Sequence, residues 1–299
     1  MTIRPPHLRR SWLFVGGADE AQLTAVEASS ADVIILELED FTPPALRAQA
    51  RARAAELFGR WRAKGAVAAV RVNPLETDDG LADLDAVMAA RPDAVLLPKV
   101  AEPRQVERLD ARVSHLERDL AIPDGSTELV PNIELARGLI QTFDVCRASE
   151  RVTAALVASE DMAADLGAER GPDGVELSYV RQRFLVECVA ANVVAIDCPY
   201  TWTDADGVIA ETRYARRLGY KAKSLVHSSH VALINDGLTP SAGEVRKAIR
   251  RTNAFESAQA QGLGRAEVDG SLVELPIYLN AKRLLARARE LAEFEGLSQ

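Results

Sequence analysis

Eight short apolar stretches recur along this chain, and their character constrains the fold more than any other feature of the sequence. Each is a continuous apolar run, and segments with helical spacing, such as residues 43–65 and 206–220, separate the runs. Continuous apolar strands are typical of a parallel sheet that is covered on both faces. In chain order the predicted strands are WLFV (12–15), VIILEL (33–38), VAAVRV (67–72), AVLLPKV (94–100), LVPNIE (129–134), ALVAS (155–159), VVAID (193–197) and KSLVH (223–227).

Eight strand–helix units within roughly 230 residues favour an α/β fold of the (β/α)8 TIM-barrel type. An open doubly wound sheet is the alternative, but no GxGxxG turn follows the first strand. We expect residues 1–250 to form the barrel and catalytic domain. Residues 251–299 are predicted to form a C-terminal helical extension that serves as a lid and in oligomerisation.

The pattern changes near the C-terminus. Ser241 followed by Glu244 predicts a helix with a capping box. The small, Gly-rich segment 258–271 predicts a mobile loop, and residues 272–294 predict a short strand followed by an amphipathic helix.

The composition excludes several classes of partner. A formal net charge of −8 and a pI of about 5.2 provide no basic surface for nucleic acid or anionic lipid. No run approaches the roughly 18 apolar residues of a membrane span, and the apolar run near the N-terminus is too short for a signal peptide. The three cysteines form no CxxC pair and are predicted to be reduced. We therefore expect a cytoplasmic protein with no nucleic-acid or membrane partner.

Polar residues stand at the end of nearly every predicted strand. A barrel enzyme assembles its active site at the carboxyl ends of its strands, so this arrangement predicts an enzyme. One polar strand end alone would be uninformative, because any strand that meets solvent ends in such a residue. The residues at these ends are Gly16, Gly17, Glu37, Glu39, Asp40, Arg71, Asn73, Lys99, Glu134, Glu160, Asp161, Asp197 and His227.

Glu134 and Asp161 follow two consecutive strands and are candidate metal ligands. Adjacent strands lie about 4.8 Å apart, so carboxylates at their ends can share one cation. Because neither motif contains His or Cys, an oxygen-preferring ion such as Mg²⁺ is favoured over zinc. Glu160 is equally well explained as an acid in the first turn of a helix.

Arg71 lies within an otherwise apolar strand and therefore needs an anionic partner. It is predicted to bind a substrate carboxylate, and the alternative is a structural ion pair with Glu39 or Asp40. Lys99 allows the same two interpretations, with Glu134 or Asp40 as its structural partner.

Seven motifs of this chain, taken together, resemble those of a known family. They are RSWLFVGG (10–17), VIILELED (33–40), VRVNPLETDDGLADL (70–84), PDAVLLPKV (92–100), PNIELARGL (131–139), ASEDMAADLG (158–167) and LGYKAKSLVHSSHV (218–231). In this order they are similar to the motifs of the citrate lyase β-subunit-like branch of the HpcH/HpaI aldolase family, which includes malyl-CoA and citramalyl-CoA lyases.

The resemblance implies a (β/α)8 barrel with a Mg²⁺ ion, or alternatively Mn²⁺, held by Glu134 and Asp161. It implies that Arg71 binds the carboxylate of a 2-keto acid, with Glu39 and Asp40 beside the metal. It also implies a homotrimer or hexamer in which a C-terminal segment covers the active site of a neighbouring subunit.

The implied reaction is the reversible cleavage of a carbon–carbon bond in a 3-hydroxyacyl-CoA of malyl, citramalyl or citryl type. The products are an acetyl thioester and a 2-keto acid, and CoA is part of the substrate. The resemblance implies that Arg10, Ser11 and Lys99 lie near the CoA phosphates or the pocket floor. The family's general acid/base, an aspartate supplied by the neighbouring subunit, corresponds to Glu274 in this chain.

Several positions depart from the family pattern. Gly16 replaces a proline, Glu37 replaces an aspartate, and Ser228–His230 replaces P-x-Q. Three alternatives therefore remain beside a CoA-thioester lyase. They are an aldolase that acts on free hydroxy-keto acids, a malyl-CoA-type thioesterase, and a non-catalytic paralogue that binds metal and a dicarboxylate.

Overall fold

The computed structural model describes residues 3–296, and eight parallel strands within it form a closed barrel. Each strand pairs with the next, and the eighth pairs with the first. The predicted TIM barrel is confirmed, and every barrel strand overlaps a predicted one. The strands are β1 (Ser11–Gly16), β2 (Val33–Glu37), β3 (Val67–Arg71), β4 (Ala94–Leu97), β5 (Glu128–Ile133), β6 (Ala154–Val157), β7 (Val194–Asp197) and β8 (Ala222–Leu225).

Helices follow each barrel strand along the chain. The predicted helical segment 43–65 contains two of them, and the segment 206–220 contains most of one. The helices of this part are α1 (Glu20–Glu27), α2 (Arg47–Ala52), α3 (Ala54–Ala63), α4 (Asp78–Met88), α5 (Pro103–Asp119), α6 (Ala136–Leu139), α7 (Thr142–Arg147), α8 (Glu160–Leu166), α9 (Ser178–Ala191), α10 (Ala205–Leu218) and α11 (Val231–Leu238).

Side chains of the barrel strands alternate between two buried clusters, because successive residues of a strand point to opposite faces. One cluster includes Trp12, Ile35 and Leu96 and fills the barrel interior. The other includes Leu13 and Ile34 and packs the strands against the helices. Since both faces are buried, each strand is a continuous apolar run in the sequence.

The chain divides into two compact units, Met1–Leu238 and Thr239–Gln299. The predicted boundary after residue 250 falls inside a helix of the second unit, and the role of that unit as a lid and oligomerisation segment stays a prediction. The second unit comprises α12 (Ala242–Ala260), β9 (Ala266–Val268), β10 (Ser271–Val273) and α13 (Leu275–Phe294).

The capping box of α12 is confirmed, because Ser241 and Glu244 each accept a hydrogen bond from the other's backbone N–H. The mobile loop predicted over residues 258–271 is wrong. Helix α12 continues to Ala260, and β9 and β10 form an antiparallel hairpin. Gly262 and Gly270 have φ values of 77° and 71° at the two turns, and these turn glycines gave the segment its loop-like composition. No helix in residues 3–296 has the length and apolar character to cross a membrane.

Candidate active site

Arg71, the last residue of β3, is the centre of a charged cluster at the carboxyl end of the barrel. Its side chain is buried, and its Nε donates to Glu37 Oε1 at 2.9 Å. Its Nη1 lies 3.4 Å from Glu134 Oε1, and its Nη2 lies 3.5 Å from Glu39 Oε2 and 3.6 Å from Asp40 Oδ2. Both interpretations of Arg71 therefore have a structural basis, because it pairs with acids of the protein and also lines a cavity.

Glu37 anchors this cluster, a role that the sequence analysis did not predict. Its carboxylate accepts hydrogen bonds from the backbone N–H groups of Glu39, at 2.8 Å, and Phe41, at 2.5 Å, in addition to Arg71. In the sheet, Glu37 is the register partner of Arg71. Aligning the ends of the second and third predicted strands would have paired these two residues.

Lys99 contacts two acids at once. Its backbone N–H donates to Glu134 Oε2 at 3.2 Å, and its ammonium donates to Glu39 Oε1 at 2.5 Å. The residue has φ 54°, a left-handed conformation that is strained for a residue with a side chain. Burial lowers the pKa of Lys99, but the pairing with Glu39 outweighs this effect and the net shift is upward. Lys99 is therefore a cation of the site whatever else it binds.

Glu134 is fully buried at the end of β5, in the same cluster. Burial raises the pKa of its carboxyl group to about 8, although Arg71 opposes the shift. Burial likewise raises the pKa of Glu39, even though Arg71 and Lys99 oppose it. Burial is the largest cause of both rises in pKa, and neighbouring acids add to it.

The residues fit a hard divalent cation. Glu39 Oε2 is buried and makes no hydrogen bond, and the Asp161 carboxylate has no hydrogen-bond or ion-pair partner within residues 3–296. No group of three or more His, Cys, Asp or Glu side chains in this range is arranged to hold a metal ion. The protein therefore offers only a small set of carboxylates. Mg²⁺ is commonly bound in this way, through one or two carboxylates with waters or substrate oxygens completing its shell.

A cavity of about 180 Å³ lies directly beside these groups. Arg71, Asp40 and Asp161 line it together with hydroxyl-bearing residues, including Ser159 and Ser224. Its small volume matches a compact polar molecule rather than a long ligand. A guanidinium and an unpartnered carboxylate facing one small cavity can bind an anion and a cation side by side.

Arg10 and Ser11 lie at the other end of the barrel, at the start of β1. Arg10 Nε donates to Asp32 Oδ2 at 2.9 Å, and Ser11 Oγ accepts from the Asp32 backbone N–H at 3.0 Å. The structure does not bring them together with the other predicted site residues. They are buried at the amino ends of the strands and stabilise the start of β2, so the resemblance does not transfer a role in CoA binding to them.

Glu160 lines the same cavity as Arg71 and Asp161, but it is not one of the acids that pair with Arg71 or Lys99. Glu160 is exposed in the first turn of α8 and pairs with Arg170 at 3.2 Å and with the Thr201 hydroxyl at 3.0 Å. Glu274 belongs to the second unit, immediately before α13. Its side chain is exposed and has no partner in the described part of the chain, and its catalytic role stays a prediction.

Known proteins resemble this chain over nearly its full length. It is 30% identical over 292 residues to the citrate lyase subunit beta of Leuconostoc mesenteroides subsp. cremoris, covering 97% of both chains. It is 30% identical over 291 residues to a (3S)-malyl-CoA thioesterase of Cereibacter sphaeroides, covering 97% of this chain and 98% of the relative.

The fold is also similar to that of a solved structure. The crystal structure of CitE from Mycobacterium tuberculosis, in complex with magnesium, acetoacetate and coenzyme A, superimposes with a TM-score of 0.74. That comparison covers 94% of this chain and 98% of the other at 25% sequence identity. The HpcH/HpaI aldolase/citrate lyase family model matches residues 10–228, which include every strand of the barrel. The barrel, the strand-end acids and these matches agree, and the chain belongs to the HpcH/HpaI aldolase/citrate lyase family.

Proposed function

We propose that this protein is a Mg²⁺-dependent carbon–carbon lyase. Its substrate is a 3-hydroxyacyl-CoA of malyl, citramalyl or citryl type, and its products are an acetyl thioester and a 2-keto acid. The citrate lyase subunit beta among its relatives supports the lyase class, and the magnesium and coenzyme A of the similar crystal structure support the cofactor and the carrier.

One observation carries the proposal. Arg71, Asp40 and the unpartnered Asp161 carboxylate face the same small cavity, with buried Glu134 next to Arg71. A 2-keto acid offers a carboxylate for the guanidinium and a keto oxygen for a cation beside it.

Glu134 and Asp161 would hold the Mg²⁺ ion, with Mn²⁺ as an alternative. When bound, the ion supplies electrostatic stabilisation for the negative charge that develops on the substrate oxygen. Arg71 orients the carboxylate, while Glu37 fixes its guanidinium at 2.9 Å. Glu39 has one buried oxygen that makes no hydrogen bond and lies 3.5 Å from Arg71 Nη2, and we assign to it the acceptance of the proton of the substrate hydroxyl group.

The enolate carbon of the departing acetyl group must also gain a proton. We assign this step to Glu274, supplied by a neighbouring subunit of a homo-oligomer. Its carboxylate is exposed and unpartnered within residues 3–296, and exposed leucines surround its position in the sequence, at Leu272 and Leu275. Glu274→Gln should lower turnover while leaving keto-acid binding unchanged, and unchanged turnover would remove this residue from the mechanism.

Thioester hydrolysis is the second candidate, because a malyl-CoA thioesterase is among the relatives at 30% identity. In that reaction water attacks the acyl carbon and the carbon–carbon bond stays intact. The groups that bind the carboxylate and the cation would then orient the hydroxyacyl group for hydrolysis instead of promoting cleavage of its carbon–carbon bond.

A product assay separates these activities. Purified protein is incubated with malyl-, citramalyl- or citryl-CoA in the presence of Mg²⁺ or of EDTA, and the products are separated. Metal-dependent release of a keto acid with acetyl-CoA is expected for the lyase. Free CoA with an intact hydroxy acid would instead identify a thioesterase. If no thioester reacts, free hydroxy-keto acids are tested next, and inactivity on these as well would indicate a paralogue that only binds.

A further inference from the structure

Asn132 is a buried amide whose side chain has no role in the site described above. It lies on β5, it is fully buried, and neither Oδ1 nor Nδ2 of its side chain makes a hydrogen bond within residues 3–296. Its backbone is fixed in the sheet, because its carbonyl oxygen accepts from the Val100 N–H at 3.1 Å. Buried amides are nearly always hydrogen-bonded, since an unpaired donor or acceptor is costly. We therefore expect the amide of Asn132 to have a partner in the functional protein.

The side chain of Asn132 faces the barrel interior. Val130, two residues earlier, belongs to the interior cluster, and successive residues of a strand alternate between the two faces of the sheet. Leu156, the register partner of Asn132 on β6, belongs to the same cluster and lines the cavity of about 180 Å³. Asn132 therefore lies inside the barrel, beside a residue of the cavity wall.

Two charged groups of the site lie close to this position along the strands. Glu134 follows Asn132 by two residues, and its carboxyl group meets Arg71 inside the barrel. Arg71 on β3 is in register with Leu96 on β4. Leu96 in turn is in register with Val130, two residues before Asn132. Because an asparagine amide has both a donor and an acceptor, Nδ2 of Asn132 suits the carboxylate of Glu134 and Oδ1 suits the guanidinium of Arg71.

The contacts of the Glu134 carboxyl group are long. Its Oε1 lies 3.4 Å from Arg71 Nη1, whereas a guanidinium and a carboxylate that pair closely are about 2.7–2.9 Å apart. Its Oε2 accepts from the Lys99 backbone N–H at 3.2 Å, at the long end of the usual range. Carboxylates that bind a metal are normally fixed by hydrogen bonds from neighbouring residues. The one side-chain donor on β5 that could fix Glu134 is the amide of Asn132.

We propose that Asn132 is a positioning residue of the metal site, which donates from Nδ2 to the carboxylate of Glu134 and holds that ligand toward the cation. The inference rests on the metal site of the proposed function, and it adds a residue that does not itself bind the cation. This hydrogen bond gives a buried donor its partner and limits the rotation of the carboxylate. Cation binding and pairing of the amide therefore favour each other.

Calorimetric titration of Mg²⁺ into the parent protein and into Asn132→Leu tests this role. Leucine is similar in shape to asparagine and has no polar side-chain atom. Mg²⁺ should bind the variant roughly 10- to 100-fold more weakly, the usual effect of losing a hydrogen-bond partner of a metal ligand. The metal-free variant should unfold at the same temperature as the parent or at a higher one, because two unpaired buried atoms are removed. A lower unfolding temperature with unchanged affinity would identify a structural amide and overturn the proposal, and so would any affinity within about threefold of the parent's.

Two further variants control for packing. Asn132→Ala removes the amide without adding methyl groups, and it should weaken Mg²⁺ binding by about tenfold or more as well. Thr212 on α10 packs against Gly237 of α11, and its buried hydroxyl also makes no hydrogen bond within residues 3–296. Thr212→Val should therefore leave the Mg²⁺ affinity unchanged. A loss similar to that of Asn132→Leu would reveal an indirect effect of packing and overturn the proposal.

The titration separates this proposal from the proposed function. If the parent binds Mg²⁺ and both variants at position 132 bind it equally well, the role of Asn132 is refuted and the metal site stands. If the parent binds no Mg²⁺, the metal site and the role of Asn132 are both refuted. Binding does not require turnover, so a protein that binds Mg²⁺ but cleaves no thioester would refute the lyase without changing the interpretation of the variants.

Discussion

Two buried charged clusters stand in the same barrel, and they differ in how completely their charges are paired. In the first, Asp197 at the end of β7 accepts from Arg181 at 2.8 and 2.9 Å and from Lys223 at 2.7 Å. Arg181 also donates to Glu211 at 2.8 Å. Two cations thus meet two acids, and every carboxylate in this closed cluster has a close partner.

The second cluster, around Arg71, is not balanced. It contains two cations, Arg71 and Lys99, and five acids. The acids are Glu37, Glu39, Asp40, Glu134 and Asp161. We call it the open cluster, because within residues 3–296 one buried oxygen, Glu39 Oε2, makes no hydrogen bond and the Asp161 carboxylate has no hydrogen-bond or ion-pair partner. This difference in charge balance is the reason for proposing ligand binding at the open cluster and a structural role for the closed one.

The pKa values follow the same division. Burial alone would raise the pKa of Asp197, but Lys223 and Arg181 hold it below its usual range. In the open cluster burial prevails, and the pKa of Glu134 is raised to about 8. A cation bound at Glu134 would provide positive charge that stabilises its carboxylate form, as Lys223 and Arg181 do for Asp197.

The largest expected effect is on catalysis in the open cluster. Asp161→Asn should lower kcat/KM for the thioester by roughly 10³-fold, because a lost metal removes several kcal/mol of transition-state stabilisation. Glu160→Gln is the comparison, since Glu160 is the adjacent acid and lines the same cavity but already pairs with Arg170, and it should lower kcat/KM much less than Asp161→Asn. Similar losses in both variants would mean that position 161 has no special role.

The next effect is on stability, and here the variant of the closed cluster is expected to be affected more than the variant of the open cluster. Asp197→Asn leaves two buried cations with one acid and should lower the free energy of unfolding by about 3–5 kcal/mol. Asp161→Asn removes a carboxylate that has no partner within the described residues. It should change the free energy of unfolding by no more than about 0.5 kcal/mol. Denaturant unfolding of both variants without metal measures this. Equal destabilisation would contradict the distinction between closed and open clusters.

The smallest effect concerns the two ends of the barrel. Ser11→Ala removes the hydroxyl that accepts from the Asp32 backbone N–H, and should reduce stability by about 1 kcal/mol. Because Ser11 lies at the amino end of β1, KM for the thioester should stay within about twofold. A large rise in KM with unchanged stability would return Ser11 to the substrate site.

The sequence was sufficient for the barrel because burial on both faces makes each strand a continuous apolar run. It was also sufficient to select Arg71, which lies within an otherwise apolar strand, and Glu134, which ends the strand before that of Asp161. The contact between Glu37 and Arg71 was not predicted, although aligning the ends of the two predicted strands would have placed them side by side. Nor could it separate the two ends of the barrel, and the resemblance implied that Arg10 and Ser11 lie near the CoA phosphates or the pocket floor. The cavity of about 590 Å³ that Gln22 and Ser228 line also required the fold, which brings these two residues together from distant positions.

Calorimetric titration of Mg²⁺ tests the central claim, that the open cluster is a metal site, most directly. At pH 7 the metal-free Glu134 carboxyl, with its pKa of about 8, is mostly protonated, and metal binding requires its carboxylate form. We therefore predict single-site binding that releases close to one proton, measured in two buffers of different ionisation enthalpy. The affinity should rise with pH up to about 8 and level off above it, and Asp161→Asn should abolish binding. Binding that releases no proton, or that survives unchanged in Asp161→Asn, would contradict the assignment of Glu134 and Asp161 as the metal ligands.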